Sequence, residues 1–417
     1  MKQYPLLNNR AAKIAFGFFL LAMLFLSRDT LFSSCLMGFA KSQILMLGLL
    51  LLLGAVFLWA NRGTLREILK DRRNIFLAAA VLLIVLPMAA KQDWQLMYFS
   101  ILLCVLTAVF LTYFTSARAV AKYYVVILTA LGVYSMLATY GLKPLANAGI
   151  LAPDIFYNSN EWEFFNFGFA YVVPSKYWHR NFGIFREPGV YQFFVLLATY
   201  LNNYWVDWDR QWKLWTCNVL LAFTMLSTFA IGGYAEIGLL ICFLFFDKKW
   251  YREKWGKIAA AVFLFLFVGV LGYIIYSFYQ PYFEFTIFYE FYDMFIRLTT
   301  DSESMMDRQN AILANLQFLT HNPLTGDTIA NVLHGTNHNT SSTLLLYAIF
   351  GVAGGTLNVA AWAALLWRRE RNVLANLILL VILFMSFNTQ NLVANVFFWL
   401  FPMMALVERG LPLWIKE

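Results

Sequence analysis

The run QILMLGLLLLLGAVFLWA at residues 43–60 has one glutamine and no charged side chain in 18 positions. A helix that crosses the hydrocarbon core of a bilayer needs about 20 apolar residues, so this run predicts a membrane-spanning helix. Similar runs recur along the whole chain, and we identify twelve of them. They cover residues 12–27, 43–60, 75–90, 95–114, 123–142, 189–206, 214–230, 231–246, 258–276, 341–367, 372–387 and 391–407.

The composition agrees with this pattern. Of the 417 residues, 61% are hydrophobic and 13% are charged, whereas soluble domains have about 45–50% apolar and about 25% charged residues. This excludes an ordinary soluble domain, a disordered chain and a coiled coil. We predict an all-α, polytopic membrane protein in which residues 1–417 form a single transmembrane domain. The runs 214–230 and 231–246 have almost no loop between them, so they form either a hairpin or one broken helix.

The distribution of basic residues predicts the topology. With the N-terminus inside, 22 of the 31 Lys and Arg residues fall in cytoplasmic segments, as the positive-inside rule requires. Twelve spans then return the C-terminus to the cytoplasm. Two long loops, 143–188 and 277–340, lie on the extracytoplasmic face and contain all four histidines. We therefore expect the polar chemistry of the protein on that face.

The first long loop is rich in aromatic residues. Such side chains anchor segments at membrane interfaces, and they also stack on sugar rings, so both roles stay open. The aromatic positions are Phe156, Tyr157, Trp162, Phe164, Phe165, Phe167, Phe169, Tyr171, Tyr177 and Trp178.

This loop ends in NFGIFREPGVYQ, residues 181–192, with Arg186 just before a predicted helix start at Pro188. Helix N-termini attract anions, and a guanidinium binds phosphate in a bidentate manner. Arg186 and the N-terminus of this helix are therefore together a candidate pyrophosphate clamp. The alternatives are a structural Arg186–Glu187 pair or an anchor for lipid headgroups.

The second long loop predicts an amphipathic surface helix of about five turns that begins near the capping box Ser304–Asp307. Arg308 lies at the edge of its apolar stripe, where it faces either lipid headgroups or a phosphate in a cleft. The predicted stripe consists of Met305, Ile312, Leu313, Leu316 and Leu319.

Histidines close the second loop. His338 precedes the tenth run, and its ordinary pKa near 6.5 suits a general base. His334 lies four residues earlier, so a metal site with Asp327 is a weaker alternative. Asp207 and Asp209 resemble a metal–nucleotide motif, but their cytoplasmic turn favours a solvated loop.

Several of these segments together resemble the bacterial O-antigen polymerase and ligase superfamily. The segments are GIFREPGVY at 183–191, LSTFAIGGY at 226–234, Asp307-Arg308, NPLTG at 322–326, and His338-Asn339 before a span. Their order and spacing cover roughly residues 180–350. The first five runs match the family only in hydropathy.

The resemblance implies a GT-C-like membrane glycosyltransferase that uses polyprenyl-pyrophosphate-linked oligosaccharides and needs no metal, nucleotide sugar or other cofactor. It implies that Arg186 and Arg308 bind the donor pyrophosphate and that His338 acts as the base on the acceptor. Many relatives carry an arginine near the Ser/Thr-Gly motif, where this chain has Glu236. We further predict that five outer-loop residues contact the substrate: Arg180, Glu187, Tyr191, His334 and Asn339.

The expected function is a polymerase that joins repeat units of a surface polysaccharide, such as O-antigen, capsule or exopolysaccharide. The expected location is the bacterial cytoplasmic membrane, with the active site on the extracytoplasmic side. Expected partners are the lipid-linked oligosaccharide, membrane lipid, a flippase and a chain-length regulator, but no nucleic acid. A ligase that transfers finished glycan is the main alternative. A transporter or lipid flippase is a third, disfavoured because the predicted spans carry almost no interior charge.

Overall fold

The structure, a computed structural model, describes residues 10–158, 161–175, 179–249, 303–335, 339–388 and 390–413, with isolated positions between residues 252 and 276. Most of this part of the chain is helical. The helices are α1 Arg10–Leu26, α2 Phe39–Ala60, α3 Leu65–Leu69, α4 Arg73–Lys91, α5 Leu96–Leu111, α6 Ala117–Leu137, α7 Lys143–Asn147, α8 Pro188–Tyr204, α9 Gln211–Ser227, α10 Ile231–Asp247, α11 Glu303–His321, α12 Ile329–His334, α13 Ser342–Leu366, α14 Val373–Phe387 and α15 Val396–Leu413.

The predicted apolar runs are helices wherever the structure describes them. Eleven of the twelve coincide with a helix, and the run 258–276 lies mostly outside the described residues. Within the described residues, four helical segments have the length and composition to cross a membrane, while α5 and α14 are apolar but shorter. The chain is therefore a helical protein with membrane-length apolar segments. The four are Phe39–Ala60, Arg73–Lys91, Ala117–Asn147 and Ser342–Leu366.

The first long loop contains a small antiparallel sheet, which the sequence analysis did not predict within the mostly helical fold. Aromatic residues favour strands as well as membrane interfaces, and the sequence reading considered only the interface and sugar stacking. Phe164 is fully buried, with its ring edge-on to Phe182 at 5.5 Å between centroids. Tyr157 on the first strand is instead 63% exposed. The strands, in sheet order, are β1 Asp154–Tyr157, β2 Glu163–Asn166 and β3 Tyr171–Val172.

Helix α8 lies at the centre of the protein. Every residue from Val190 to Tyr204 is buried, and the helix packs against α6, α9 and α10. Its polar side chains find partners inside the protein: Asn202 Nδ2, for example, donates to Asn218 Oδ1 at 2.8 Å. Such pairing is required because an unpaired polar group costs several kcal/mol in an apolar interior. The residues at the two ends of α8 are therefore held in fixed positions.

The turn between α9 and α10 resolves one alternative left by the sequence. The chain leaves α9 at Ser227 and enters α10 at Ile231, and Phe229 between them has a left-handed φ of +47°. These are two helices joined by a tight turn. Arg180 stabilises the turn, because its guanidinium donates to the carbonyl oxygen of Phe229, with the Nε–O distance at 3.2 Å.

Helix α13 is interrupted near its middle by Gly351, which has a φ of +68° and a ψ of −168°. The segment 322–327 of the second long loop fills the interruption. Val352 N donates to the carbonyl of Pro323 at 2.8 Å, where a regular helix would bond within itself. The NPLTG motif therefore completes the backbone hydrogen bonding of a broken helix.

Lys91 at the end of α4 donates hydrogen bonds at the same break in α13. Its Nζ donates to the carbonyl of Asp327 at 2.8 Å and to the carbonyl of Ile349. The Ile349 carbonyl belongs to the interrupted helix and the Asp327 carbonyl to the loop segment packed against it, so the ammonium links the two. The break is thus filled by the protein itself.

We expect Gly351→Ala to destabilise the protein strongly. The backbone conformation is one that essentially only glycine adopts, at a cost on the order of 3 kcal/mol for other residues. A Cβ would also lie 2.4 Å from the carbonyl oxygen of Leu324. The midpoint of thermal unfolding in detergent, followed by size-exclusion chromatography, measures the effect.

Gly48→Ala is the matched control, because a Cβ at this position in α2 meets nothing within 4 Å. It should keep or raise the unfolding midpoint, since alanine favours a helix by about 1 kcal/mol over glycine. Equal midpoints for Gly351→Ala and the wild type would contradict the structural role of the break.

Candidate functional site

Asn181 fixes the start of the Arg186 segment. Its Nδ2 donates to Ser135 Oγ on α6 and Ser227 Oγ on α9, each at 2.9 Å, and its Oδ1 accepts from Gly183 N at 2.9 Å. The side chain is fully buried, so this amide connects two helices to the loop. The loop therefore reaches α8 with a defined backbone path.

Gly183 forms a turn between Asn181 and Arg186, and Tyr191 of α8 packs against this turn. Gly183 has a φ of +58°, and a Cβ there would lie 2.7 Å from the Tyr191 ring. Tyr191 is fully buried, stacks on Phe185 at 5.1 Å and shares a 3.2 Å hydrogen bond with Ser135 Oγ. Tyr191 was predicted to contact substrate, but this position makes it a support of the turn, because its ring and hydroxyl face the interior.

Arg186 is held by the segment that follows α1. Its backbone N donates to the carbonyl of Asp29 at 3.0 Å, and its Nε lies 3.5 Å from Asp29 Oδ1. The ion partner is thus Asp29, and the predicted alternative of an Arg186–Glu187 pair is wrong. Glu187 is exposed and precedes α8 without a side-chain capping bond. The Arg186 side chain is 36% exposed, so part of it can reach a ligand.

Arg28 is the residue at this site that the sequence analysis did not single out. Burial is the largest influence and lowers the pKa of its guanidinium; the charge of Asp29 raises that pKa, and the charge of Arg186 lowers it. Two guanidinium groups therefore act on one carboxylate, which leaves one net positive charge. The adjacent Arg28 and Asp29, directly after the first run, were the available signal.

Three polar atoms of this cluster are buried without a hydrogen-bond partner in the described structure: Arg28 Nη1, Asp29 Oδ1 and Arg186 Nε. Asp29 itself is 1% exposed, and its other oxygen accepts from Asn395 Nδ2 at 3.0 Å. Unsatisfied buried groups are costly and often mark a site that acts on a ligand. We call Arg28, Asp29 and Arg186 the outer arginine cluster.

Helix α8 begins next to this cluster. Pro188 occupies the first turn, and Glu187 is the preceding cap residue. The first N–H groups of a helix have no partner within it, and the helix dipole favours a negative charge there. The outer arginine cluster and this helix end therefore both attract an anion to the same place.

Arg308 interacts electrostatically with a second carboxylate, that of Glu236. It lies on α11, is partly buried, and its Nε has no partner in the described part of the chain. Its charge acts on Glu236 of α10. Of the two predicted environments for Arg308, this position favours the cleft over the lipid headgroups.

The predicted amphipathic helix exists as α11, but part of its predicted apolar stripe is exposed. Leu313 and Leu316 are 60% and 42% exposed, while Ala311 and Asn315 are 1% exposed. The helix turns a face with small and polar residues inward because that face carries Arg308 and the Asn315 amide. The outward leucines are available to a surrounding apolar medium.

Glu236 is 1% exposed and accepts a hydrogen bond from Gln192 Nε2 at 3.1 Å. The Gly232-Gly233 pair brings α10 close enough for this contact. A Cβ at Gly233 would lie 2.5 Å from Gln192 Oε1, and one at Gly232 would lie 3.3 Å from Gln192 Nε2. The sequence left the roles of these residues open. Here the two glycines allow Gln192 of α8 to bond to Glu236 of α10. The charge of Arg308 acts on this same carboxylate.

Asn339 lies where the second loop meets α11. Its Nδ2 donates to Asn315 Oδ1 at 2.9 Å, and Asn315 Nδ2 donates back to Asn339 Oδ1 at 3.2 Å. Ser341 Oγ then donates to Asn388 Oδ1. His338, the predicted base, lies outside the described residues. Asn339 itself therefore contacts the helix that carries Arg308.

The other predicted substrate contacts lie elsewhere. Arg180 is engaged at the α9–α10 turn, as described above, and His334 is exposed in the last turn of α12. Asp327 accepts hydrogen bonds from Thr328 N at 2.7 Å and Asn331 Nδ2 at 2.9 Å, so it is engaged at the start of α12, whose cap residue is Thr328. Among the described residues, no three His, Cys, Asp or Glu side chains are grouped to hold a metal ion.

The Asp207–Asp209 turn is a solvated loop, as expected. Asp207 pairs with Arg118 at 2.6 Å and Asp209 with Lys213 at 2.7 Å, and both carboxylates are mostly exposed. Exposed pairs of this kind contribute little to stability.

We expect Gly233→Ala to weaken the Gln192–Glu236 contact. The new Cβ must displace the Gln192 side chain, and a buried carboxylate that loses its donor costs about 1–3 kcal/mol. The thermal unfolding midpoint in detergent should therefore fall. Gly238→Ala in the same helix is the control, because a Cβ there meets nothing within 4 Å. Equal midpoints for the two variants would show that the close approach has no energetic weight.

No family model, curated protein or solved structure matches the chain. The structure supports one class of protein: a mostly helical protein with apolar helices long enough to cross a membrane. The assignment of a function therefore rests on the residues of this chain.

Proposed function

We propose that this protein is a membrane glycosyltransferase that joins polyprenyl-pyrophosphate-linked oligosaccharide units into a surface polysaccharide. The observation that carries the proposal is the outer arginine cluster at the start of α8. Arg28 Nη1 is buried there without a hydrogen-bond partner among the described residues, and Arg186 Nε lies 3.5 Å from Asp29 Oδ1 as an ion pair without a hydrogen bond. The order of the O-antigen polymerase-like segments adds to it. The proposal includes twelve spans, both termini in the cytoplasm and a site that faces outward.

A pyrophosphate suits this cluster for electrostatic reasons. Arg28 and Arg186 share one carboxylate, so the cluster has one positive charge in excess. Charge-assisted bonds from guanidinium to phosphate are about twice as strong as neutral ones. The free N–H groups of α8 supply further donors. These groups are held before the ligand arrives, which is the condition for efficient stabilisation of a developing negative charge.

The proposed reaction needs two further roles. The acceptor hydroxyl oxygen forms a bond to the anomeric carbon while the bond to the pyrophosphate oxygen breaks, which inverts that carbon. His338 takes the hydroxyl proton, a role that general bases support by about 10²–10⁴-fold. Arg308 contacts the donor phosphates, and Glu236 keeps its guanidinium oriented. Asn339 joins the base segment to the helix of Arg308.

We expect Arg186→Ala to abolish polymerisation. Loss of one preorganised donor to a developing charge typically costs about 10²–10³ in rate. The measurement is the size distribution of surface and lipid-linked glycan in a bacterial strain deleted for the gene and complemented with each variant. Long chains should vanish while single repeat units persist, and the wild-type gene should restore the ladder.

Lys41→Ala is the matched control, since Lys41 is an exposed cation at the start of α2 and should leave the ladder intact. Finished polymer that accumulates on its lipid carrier would identify a ligase instead. An unchanged ladder in the deletion strain, or full rescue by Arg186→Ala, would overturn the site assignment.

We expect Arg28→Gln to shorten the glycan chains in the same assay, although Arg28 lies outside the polymerase-like segments of the sequence. Removing it leaves Arg186 neutralised by Asp29, so the cluster loses its excess positive charge. Asp29→Asn distinguishes charge from geometry, because it raises the net positive charge but removes the ion partner of Arg186. If Arg28→Gln gives a full ladder at wild-type protein levels, Arg28 takes no part in donor binding.

The break in α13 is the one observation that favours the transporter alternative, because transporters use discontinuous helices at their binding sites. Here, however, the 322–327 segment and Lys91 fill the break. Uptake of labelled solute into proteoliposomes would support transport, and the glycosyltransferase proposal expects none.

A further inference from the structure

The far end of α8 carries a second cluster of cations. Three of them surround the ring of Tyr204, the last residue of the helix. Lys248 Nζ lies 4.5 Å from the ring centroid, and the Cζ atoms of Arg368 and Arg371 each lie 4.8 Å from it. Arg409 lies over the next ring, that of Trp205, at 5.3 Å. Aromatic faces attract each cation but supply no negative charge.

In the part of the chain that the structure describes, one of these cations, Arg371, is hydrogen-bonded to a partly buried carboxylate, that of Asp247. Asp247 accepts from Arg371 Nε at 2.8 Å and from Nη2 at 3.1 Å, and it also accepts from the Tyr204 hydroxyl. Arg371 is therefore neutralised. Arg368 and Arg409 are partly buried and Lys248 is exposed, so these three cations are open to a ligand from outside the protein.

Arg368 is incompletely satisfied. Its Nη2 donates to the carbonyl of Tyr204, but its Nε is buried without a partner among the residues that the structure describes. Its ion partner is Glu370, at 3.8 Å with a carboxylate that is 76% exposed. Burial and then the charge of Arg368 lower the pKa of Lys248, which Asp247 raises. An anion placed between Lys248 and Arg368 would relieve this repulsion.

The position of this cluster relates it to the bilayer. Helix α8 has 17 residues and is about 25 Å long at 1.5 Å per residue. The outer arginine cluster is at its first residue and the Tyr204 cations are at its last. That separation is close to the thickness of a hydrocarbon core, about 30 Å. With α8 along the bilayer normal, the second cluster would lie near the lipid phosphates of the leaflet opposite the outer arginine cluster.

We propose that Lys248, Arg368 and Arg409 bind the phosphate of an anionic lipid in the leaflet opposite the outer arginine cluster. The lipid adds negative charge to that of Asp247, which is hydrogen-bonded to Arg371, and its phosphate accepts from the Nε of Arg368. Basic pockets between helix ends are the usual binding sites for anionic headgroups. This inference depends on the membrane location and not on the glycosyltransferase reaction.

Purified full-length protein in nanodiscs tests the proposal. Phosphatidylglycerol is titrated into phosphatidylcholine nanodiscs, and bound lipid is counted by native mass spectrometry. Lys248→Gln should weaken phosphatidylglycerol retention about fivefold, because one cation next to the Tyr204 ring is removed from the site. Lys249→Gln, at the next residue, which is exposed like Lys248, should change retention much less. Arg368→Gln and Arg369→Gln form a second pair with the same expectation.

Two results would overturn the proposal. One is an equal loss in both members of each pair, which reflects general surface charge. The other is displacement of the bound lipid by inorganic phosphate at matched concentration, which would make a soluble phosphate the occupant. Retention of phosphatidylglycerol that is weakened only by the Lys248 and Arg368 variants supports the site. The unfolding midpoints of all four variants show that each is folded.

Discussion

The carboxylate of Asp29 is the interaction on which the rest of the site depends. It is buried between Arg186 and Arg28, and it accepts from Asn395, which is 366 residues away in sequence. The carboxylate needs these partners because it is 1% exposed, although solvent screens its pair with Arg186, whose side chain is 36% exposed. One side chain therefore holds together the end of α1, the segment before α8 and the segment before α15.

The same constraint explains why few polar residues organise so much apolar sequence. Inside an apolar protein each polar group needs a partner, so each one specifies a contact. Asn181 connects α6 and α9 to the Arg186 loop, and Lys91 closes the break in α13. The glycines contribute by having no side chain. Each one leaves space for a neighbouring side chain or backbone segment that a Cβ would displace. Gly233 admits the Gln192 amide beside Glu236, and Gly351 admits the 322–327 segment.

The sequence predicted the helices because apolar runs of membrane length have few alternatives. It predicted Arg186 and Arg308 because a guanidinium near a helix start is a recognisable local pattern. It did not predict the sheet, since the aromatic residues of the first loop fit an interface equally well. The Arg28–Asp29–Arg186 cluster and the Gln192–Glu236 contact join distant positions, and no local pattern reveals such pairings. The inward face of α11 was missed because its buried residues are small or polar, while its exposed residues include leucines.

The packing of α8 bears on whether the protein catalyses or transports. Alternating access needs a bundle that rocks about its binding site, whereas catalysis by preorganised charges needs donors that stay in place. Helix α8 is buried along nearly its full length, with close glycine contacts to Gln192 and Tyr191 near its start. Cation clusters hold both of its ends, so moving it would separate Arg186 from Asp29 or Tyr204 from its cations. A rigid central helix with an anion-attracting end is therefore better suited to binding and activating a pyrophosphate than to carrying a solute.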